Sequence, residues 1–454
     1  MKDRPRLTAL CALALAALPV SAAAMAFRLR DGLFWGDHIG LFAETRLHET
    51  FSLRGLFAFH NEHIVVPMKL AVWADLRFFG GEQWLTLALA LLLAAAPPVV
   101  CTILLGREEP LLKRERVAFC GAIFAALYLN GTLLWGLTWP ILLQHFFAVV
   151  AVLGLAGLLG WGNPHSLRGA SAALALCGAA ALSNANGALT PAVLGVVLLF
   201  RGRERLPWLP LAGMALITAP YFLAYRSANP AAALPAAAPW ETLHFALLFI
   251  GGVYWRDSGF PYESRSDPAL VYLTAIAFCL LLAWLVLGLW RRRGELTGFE
   301  VFHLTLIAFV VATALAGGLY RSQFGAWEGL NKKYAATASL AWLAAASLLL
   351  RSRPGLLFGS PWRQAALALA LLATLLPSGW HEFQLWRRWN GRVRECTASA
   401  ASNTPDPSCL RSLYWDARRG AEVLAALQRQ RKGFIGTLPL PHPAQQPSPA
   451  SSMK

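Results

Sequence analysis

Long apolar stretches, separated by short polar or basic segments, run through the whole chain. The stretch WLTLALALLLAAA begins at Trp84, and LALALLATLL begins at Leu367. A helix satisfies its backbone hydrogen bonds internally, and about 20 apolar helical residues cross the hydrocarbon core of a bilayer. The pattern therefore predicts membrane-spanning helices near 7–26, 84–105, 117–135, 141–160, 206–225, 269–290, 299–319, 334–350 and 362–380.

One further apolar segment, 170–200, is interrupted by the sequence SNANG at 183–187. Asn and Gly favour a turn, and short helices that end at membrane depth are stable only where they pack on protein or line a cavity. We expect two short helices that meet at this break. The predicted fold class is then an all-α, polytopic helical membrane protein with about eleven crossings, nine full and two short.

The composition excludes several classes of protein. The chain is 57% apolar and 14% charged, whereas a soluble domain is roughly 45–50% apolar and about 25% charged. A soluble enzyme, a disordered protein and a fibrous protein are excluded. The net charge of +16 comes largely from basic clusters between the spans, as in 107–116 and 291–293. Cytoplasmic loops carry such an excess, so we expect a cytoplasmic N-terminus and no nucleic-acid partner.

The predicted domains follow from the spans. Residues 1–380 form the transmembrane domain, with external loops at 27–83, 226–268 and 320–333, and 381–454 form an external C-terminal tail. The tail is expected to be helical near 409–431 and, because it becomes rich in Pro and Ser, disordered from about 436. A cleaved signal peptide at the first span is the alternative to a membrane anchor there, although its apolar run is long.

Two cysteines in this tail predict a disulfide bond. Cys396 and Cys409 are separated by a turn-rich stretch that contains Pro405 and Pro407. Disulfides persist in oxidising compartments, and an external tail would lie in one. We therefore expect these two thiols to be joined.

Loop 27–83 carries the densest set of candidate catalytic groups. Asp37 and Glu44 would share one helix face with His48 if 38–50 is helical. Asp37 follows Gly36, which permits a tight bend, and Trp35, which could exclude water or stack on a sugar. Such a setting suits a general base, with Asp37 the first candidate and Glu44 the second. The alternative is a solvated loop with ordinary charges.

A second cluster in the same loop is predicted to bind substrate. It consists of His60, Asn61, Glu62 and His63. Two His three residues apart on one helix face can meet a metal ion, but two ligands do not make a site, so no metal or other cofactor is expected. The following stretch, 64–79, is expected to form a helix that lies in the membrane interface.

Loop 320–333 and the first residue after it are predicted to bind an anion. Cations on the external side oppose the usual charge bias, and a lipid phosphate is the natural ligand. The residues are Arg321, Lys332, Lys333 and Tyr334. Interfacial snorkelling of the cations is the alternative. Asn186, in the break at 183–187, is predicted either to cap a short helix or to contact substrate.

These features resemble the GT-C class of membrane glycosyltransferases, which includes protein mannosyltransferases, aminoarabinose transferases and arabinofuranosyltransferases. The runs HNEHIVVP and ADLRFFGG, the Asn-Gly pair at 186–187 and the Lys-Tyr pair at 333–334 carry the resemblance. It implies an inverting transferase of a bacterial inner membrane. The donor would be a sugar on a polyprenyl phosphate, and the acceptor a hydroxyl of a glycan, lipid or protein on the periplasmic face.

The chain departs from that class in one respect, because the first loop has no obvious Asp-Glu pair. The identity of the base is therefore open between Asp37 and Glu44. Two other functions would use similar features: a transporter or flippase of lipid-linked sugars, with a cavity lined by the broken helices, and an O-antigen-type polysaccharide polymerase. The sequence names neither the sugar nor the acceptor.

Overall fold

A computed structural model describes residues 4–61, 63–109, 113–164, 166–202, 208–228, 238–255, 268–402 and 406–439. Within these ranges the chain is helical and contains no strand. The first half contains α1 (Arg4–Leu29), α2 (Asp37–Thr45), α3 (Leu53–Phe57), α4 (Val66–Phe78), α5 (Trp84–Glu108), α6 (Arg114–Tyr128), α7 (Leu134–Thr138), α8 (Leu143–Trp161), α9 (Leu167–Ser183) and α10 (Thr190–Phe200). The second half contains α11 (Trp208–Gly213), α12 (Ala219–Ala228), α13 (Pro239–Gly251), α14 (Pro268–Arg291), α15 (Gly298–Arg321), α16 (Ala335–Ser352), α17 (Pro354–Phe358), α18 (Pro361–Ala400), α19 (Pro407–Leu413) and α20 (Ala417–Arg429).

The connecting segments are also helical in several places. A five-residue π-helix joins α11 to α12 at Met214–Thr218. The short 3-10 turns are Gly131–Leu133, Pro140–Leu142, Ala185–Leu189, Val253–Trp255, Ser322–Phe324, Ala326–Leu330, Lys332–Tyr334 and Phe434–Thr437.

The predicted class, an all-α polytopic membrane protein, is confirmed at this level. Eight helices of the described chain are long and apolar enough to cross a membrane, and α6 with α7 forms one further span if the bent pair is counted. The eight are Arg6–Leu29, Trp84–Glu108, Pro140–Trp161, Trp208–Arg226, Pro268–Arg291, Gly298–Phe324, Lys332–Ser352 and Pro361–Ala400. Each predicted full span falls on one of these helices or on the bent pair.

Contacts between connecting segments define one end of the helix assembly, which we call the basic end. There Arg351 lies 3.2 Å from Glu108, and Arg292 lies 2.7 Å from Glu300. The amide of Gly294 donates to the carbonyl of Phe200 over 2.9 Å. The segments that meet here are those in which the sequence concentrates Arg.

The opposite end, which we call the loop end, collects the long loops. Loop 27–83 lies here together with the break between α9 and α10, because the amide of Ala185 donates to His63 Nδ1 over 3.1 Å. The helices α9 and α10 therefore run from the basic end to the loop end and back. Gly187 makes this reversal compact, since a Cβ there would lie 1.9 Å from the carbonyl oxygen of Ala180.

The condition on which Asp37, Glu44 and His48 would share one helix face is not met. Helix α2 ends at Thr45, because Arg46 adopts a left-handed conformation with φ 54°. His48 consequently lies beyond the helix and does not share the face of Asp37 and Glu44. His60 and His63 are joined by two backbone hydrogen bonds, from each amide to the carbonyl of the other, and do not lie on one helix face.

The helix expected in the stretch 64–79 is present as α4, and its position in the membrane interface stays a prediction. Lys69 of α4 is fully buried. Its ammonium group donates to the carbonyls of Gly55 and Leu56 over 3.2 and 3.0 Å. Burial lowers the pKa of Lys69 to about 8. Lys69 thus ties α4 to the chain around α3.

The tail is continuous with the helical assembly. Helix α18 contains 40 residues and extends through the predicted boundary at 380. The helix expected near 409–431 is divided into α19 and α20, because Asp416 caps α20 by accepting from the amide of Arg419 over 3.1 Å. Residues 436 and 437 belong to a 3-10 turn. From residue 440 onward, the stretch that was expected to be disordered lies outside the described residues.

The predicted disulfide between Cys396 and Cys409 is confirmed, with Cα atoms 4.8 Å apart. It joins the end of α18 to α19. The tail is therefore fixed to the last long helix of the chain at a point beyond the predicted end of the transmembrane domain.

Candidate functional site

Asp37 is presented at the loop end by a bend in the backbone. Gly36 adopts φ 55°, which L-residues with a side chain rarely adopt, and its amide donates to the carbonyl of Leu413 over 2.6 Å. Asp37 is the first residue of α2 and is exposed. A carboxylate at a helix N-terminus is stabilised by the helix dipole. Asp37 is therefore an accessible carboxyl group that follows a backbone bend held by the hydrogen bond to Leu413.

Trp35, two residues earlier, belongs to an aromatic cluster. Its ring stacks on Trp139 with the centroids 4.7 Å apart and the planes inclined by 3°. Trp389 meets it edge-on at 5.2 Å. One face of Trp35 is therefore covered by protein. This arrangement suits the exclusion of water, and it leaves at most the other face of the ring for a sugar.

Glu44 and His60 form a direct pair. Glu44 Oε2 lies 2.7 Å from His60 Nδ1, and the Glu44 side chain is 33% exposed whereas that of His60 is 3% exposed. A carboxylate in this position favours the tautomer that carries its proton on Nδ1. Among the described residues His60 Nε2 is buried without a hydrogen-bond partner, which costs about 1–3 kcal/mol. The Glu44 carboxylate therefore orients the His60 ring, and it leaves the Nε2 atom of this ring as a polar group near α2.

His63 connects the first loop to the rest of the candidate site. Burial lowers its pKa to about 3, with the charges of His60 and Lys333 acting in the same direction and that of Asp37 opposing them. His63 is thus neutral near pH 7, and Nδ1 accepts the amide proton of Ala185. The Asp37 carboxylate and the Lys333 ammonium both lie near enough to act on this one ring.

The other members of the predicted His cluster contribute less. Asn61 is exposed and holds the corner of the turn with φ 52°. Glu62 lies outside the described residues. Among the described residues, no three His, Cys, Asp or Glu side chains are close enough together to hold a metal ion.

The two lysines of loop 320–333 pair with different acids. Lys332 is 2% exposed and forms an ion pair with Glu382 of α18. Lys333 Nζ lies 2.7 Å from Glu328 Oε1 and 5.0 Å from the centroid of the Tyr334 ring. The charge of Lys333 also acts on His63 of the first loop.

The remaining members of the predicted anion site lie close to this loop. Tyr334 is 7% exposed, and its ring packs 5.0 Å from that of Phe249. The guanidinium of Arg321 lies 6.0 Å from the ring of Phe324, and its charge acts on Lys333. Of the predicted anion-binding residues, Arg321 and Lys333 are thus the pair that stay partly exposed.

Two polar residues lie near His63: Asn184, one of the two amides of the break that were expected to cap a short helix or contact substrate, and His145, which sequence reasoning missed. Asn184 and His145 are 1% and 6% exposed, and Asn184 Nδ2 lies 3.4 Å from His145 Nδ1. Asn184 also accepts the amide proton of Asn186 through Oδ1 over 3.0 Å, so the backbone of Asn186 takes part in a cap. The available signal was the pair Gln144-His145 inside an otherwise apolar span.

Two small clefts lie at the loop end. One lies between α2, α4 and α5, with His38 and Asp75 in its lining. The other has Trp139, Trp386 and Asn390 in its lining. Asp75 is not a free acid, since it accepts the amide protons of Gln83 and Thr86 and so caps α5.

The acids near the ends of loop 27–83 are also structural. Asp31 pairs with Arg394 over 2.6 Å rather than with the adjacent Arg30, whose guanidinium stacks over Trp84 at 3.2 Å. Among the described residues of this loop, Glu44 pairs with His60 and the charge of Asp37 acts on His63. Comparison of the chain with protein-family models, with curated proteins and with solved structures finds no match.

Proposed function

We propose that this protein is a membrane glycosyltransferase that moves a sugar from a polyprenyl-phosphate donor to an acceptor hydroxyl on the external face. The observation that carries the proposal is the position of His63, on which the charges of Asp37 and Lys333 both act. A transferase of this kind needs a carboxylate for the acceptor and a cation for the leaving phosphate. Asp37 and Lys333, which supply these groups, lie 296 positions apart in the sequence, and the charges of both act on this ring.

The reaction follows from the charges. The acceptor oxygen forms a bond to the anomeric carbon while its proton passes to Asp37, and the bond from that carbon to the phosphate oxygen breaks with inversion. The polyprenyl phosphate leaves as an anion, which Lys333 and Arg321 stabilise. The Glu44–His60 pair and the polar groups of His145 and Asn184 hold sugar hydroxyls. This scheme requires no cofactor and no metal ion.

The proposed orientation places the loop end outside a bacterial inner membrane and the basic end in the cytoplasm. The Arg residues of the basic end support it through the bias of cytoplasmic loops. The proposed number of crossings is eleven, with α9 and α10 counted as two short ones. The disulfide in the tail supports an oxidising environment for the C-terminal part.

One observation favours a second function. The reversal between α9 and α10 at Asn184 places broken helices beside buried polar groups, which a flippase or transporter of lipid-linked sugars would also use. A transporter needs access from both faces. The candidate acids and the partly exposed Lys333 lie at the loop end, and this placement on one side supports the transferase.

The test is mass spectrometry of envelope glycans, lipids and glycoproteins from cells with and without the gene, complemented with wild type or Asp37→Asn. Loss of one sugar modification, restored by wild type and not by the variant, is the expected result. Restoration by Asp37→Asn would contradict the proposed role of the acid. Accumulation of an unmodified lipid-linked sugar on the cytoplasmic side would favour a flippase.

A further inference from the structure

The C-terminal tail packs directly on the helix that carries the candidate acids. The carbonyl of Leu413 accepts the amide proton of Gly36, the residue before Asp37, over 2.6 Å. The amide of Phe434 donates to the carbonyl of Gly32 over 3.0 Å. The tail therefore fixes the backbone of the first loop just before α2 begins.

Tyr414 continues this contact along α2. Its side chain is 4% exposed and lies over Gly40, where a Cβ would be 3.2 Å from Tyr414 Cε2 and 3.4 Å from His60 Cε1. A methyl group at this position would press on both rings, so Gly40 lets α2 lie close between them. Burial and the charge of Glu44 raise the pKa of Tyr414, so its phenol is neutral near pH 7.

Covalent and ionic links hold this part of the tail in place. The Cys396–Cys409 disulfide joins α18 to α19, whose last residue is Leu413. Asn390 donates to the carbonyl of Leu29 over 2.9 Å, and Arg394 pairs with Asp31. These contacts connect the end of the first span to the segment that carries Tyr414.

We propose that Tyr414 is a positioning residue, which holds α2 so that Asp37 and Glu44 face the acceptor, and that the candidate site is complete only with the C-terminal tail docked. This inference rests on the proposed transferase function. Tyr414 acts through α2 and needs no contact with the sugar. Small displacements of a catalytic group lower the rate more than they weaken binding.

The test compares Tyr414→Ala, Tyr414→Phe and Arg418→Ala in the full-length protein in liposomes. Arg418 is an exposed residue of the same tail and pairs only with Glu422 among the described residues. We expect Tyr414→Ala to lower kcat on the order of 10-fold with an unchanged KM for the donor, since geometry and not binding is affected. Tyr414→Phe, which retains the ring, should restore most of kcat, and Arg418→Ala should match wild type.

A readout that does not depend on activity separates this inference from the proposed function. Amide hydrogen exchange of residues 36–45 should be faster in Tyr414→Ala than in Arg418→Ala, with α15 unchanged, and Gly40→Ala should reproduce the effect from the other side of the contact. Unchanged exchange at 36–45, or a wild-type kcat in Tyr414→Ala, would overturn the inference. Faster exchange in a protein that transfers no sugar would support the docking of Tyr414 and contradict the proposed function.

Discussion

At the scale of single residues, the candidate site depends on which charges already have partners. Lys332 is neutralised by Glu382, whereas Lys333 pairs with Glu328 at a partly exposed position beside the first loop. Sequence reasoning identified both lysines and Asp37, since external cations and loop acids are visible as patterns. It could not predict that the two lysines have different partners, because the sequence does not show that α18 brings Glu382 to Lys332.

Asp37→Asn tests the proposed base. The amide keeps the shape of the side chain and cannot accept the proton, so we expect transfer to fall on the order of 10²-fold or more with normal expression. Glu44→Gln should have a smaller effect, because Glu44 acts on His60. The reverse order of the two effects would move the role to Glu44, and two active variants would exclude both.

The two lysines should respond differently. Lys333→Ala should raise the KM for the polyprenyl-phosphate donor several-fold in a stable protein, because a cation near the leaving phosphate is lost. Lys332→Ala should instead lower stability, by about 3–5 kcal/mol, because it leaves the Glu382 carboxylate buried without its partner. Lys332→Met combined with Glu382→Gln is the matched control and should recover stability. Equal donor KM in Lys333→Ala and wild type would contradict the anion site.

The buried histidines predict a dependence of stability on pH. Burial lowers the pKa values of His38 and His63 from 6.5 to about 3, so the unfolded chain binds more protons than the folded chain between these values. The unfolding free energy should therefore fall as the pH decreases from about 6.5 toward 3. Thermal unfolding in detergent measures it, and His38→Gln should flatten the slope. An identical slope would show that His38 is not buried in its neutral form.

At the scale of elements, the apolar runs predicted the long helices well, since a bilayer fixes their length. The boundaries of α2, the turn at 60–63 and the division between α19 and α20 were not predicted. Each depends on a local conformation, such as the left-handed Arg46 or the cap at Asp416. The short helices α9 and α10 were predicted because Asn and Gly interrupt the run, but their contact with His63 was not visible in the sequence.

Gly187→Ala tests the reversal between α9 and α10. A Cβ at this position would lie 1.9 Å from the carbonyl oxygen of Ala180 and 2.0 Å from its carbon. Backbone atoms cannot yield as a flexible side chain can, so the change should lower the thermal unfolding temperature. Gly178→Ala in α9 is the matched control, because a Cβ there meets nothing within 4 Å. Equal stability of the two variants would contradict the packing of the break.

At the scale of the whole molecule, the proposed function depends on the difference between the two ends of the helical assembly. The basic end gathers Arg292 and Arg351, and the loop end gathers Asp37, His63 and Lys333. Charge bias and hydropathy indicated this division from the sequence. The docking of the tail on loop 27–83 and the effect of Lys333 on His63 required the three-dimensional structure, because these segments are far apart along the chain.

The most direct measurement is sugar transfer by the purified full-length protein in liposomes that contain a labelled polyprenyl-phosphate sugar and an envelope acceptor extract. The account predicts that wild type moves the label to an acceptor and releases polyprenyl phosphate, while Asp37→Asn and Lys333→Ala do so much more slowly. Movement of the intact lipid-linked sugar between leaflets, without cleavage of its bond to phosphate, would contradict the account.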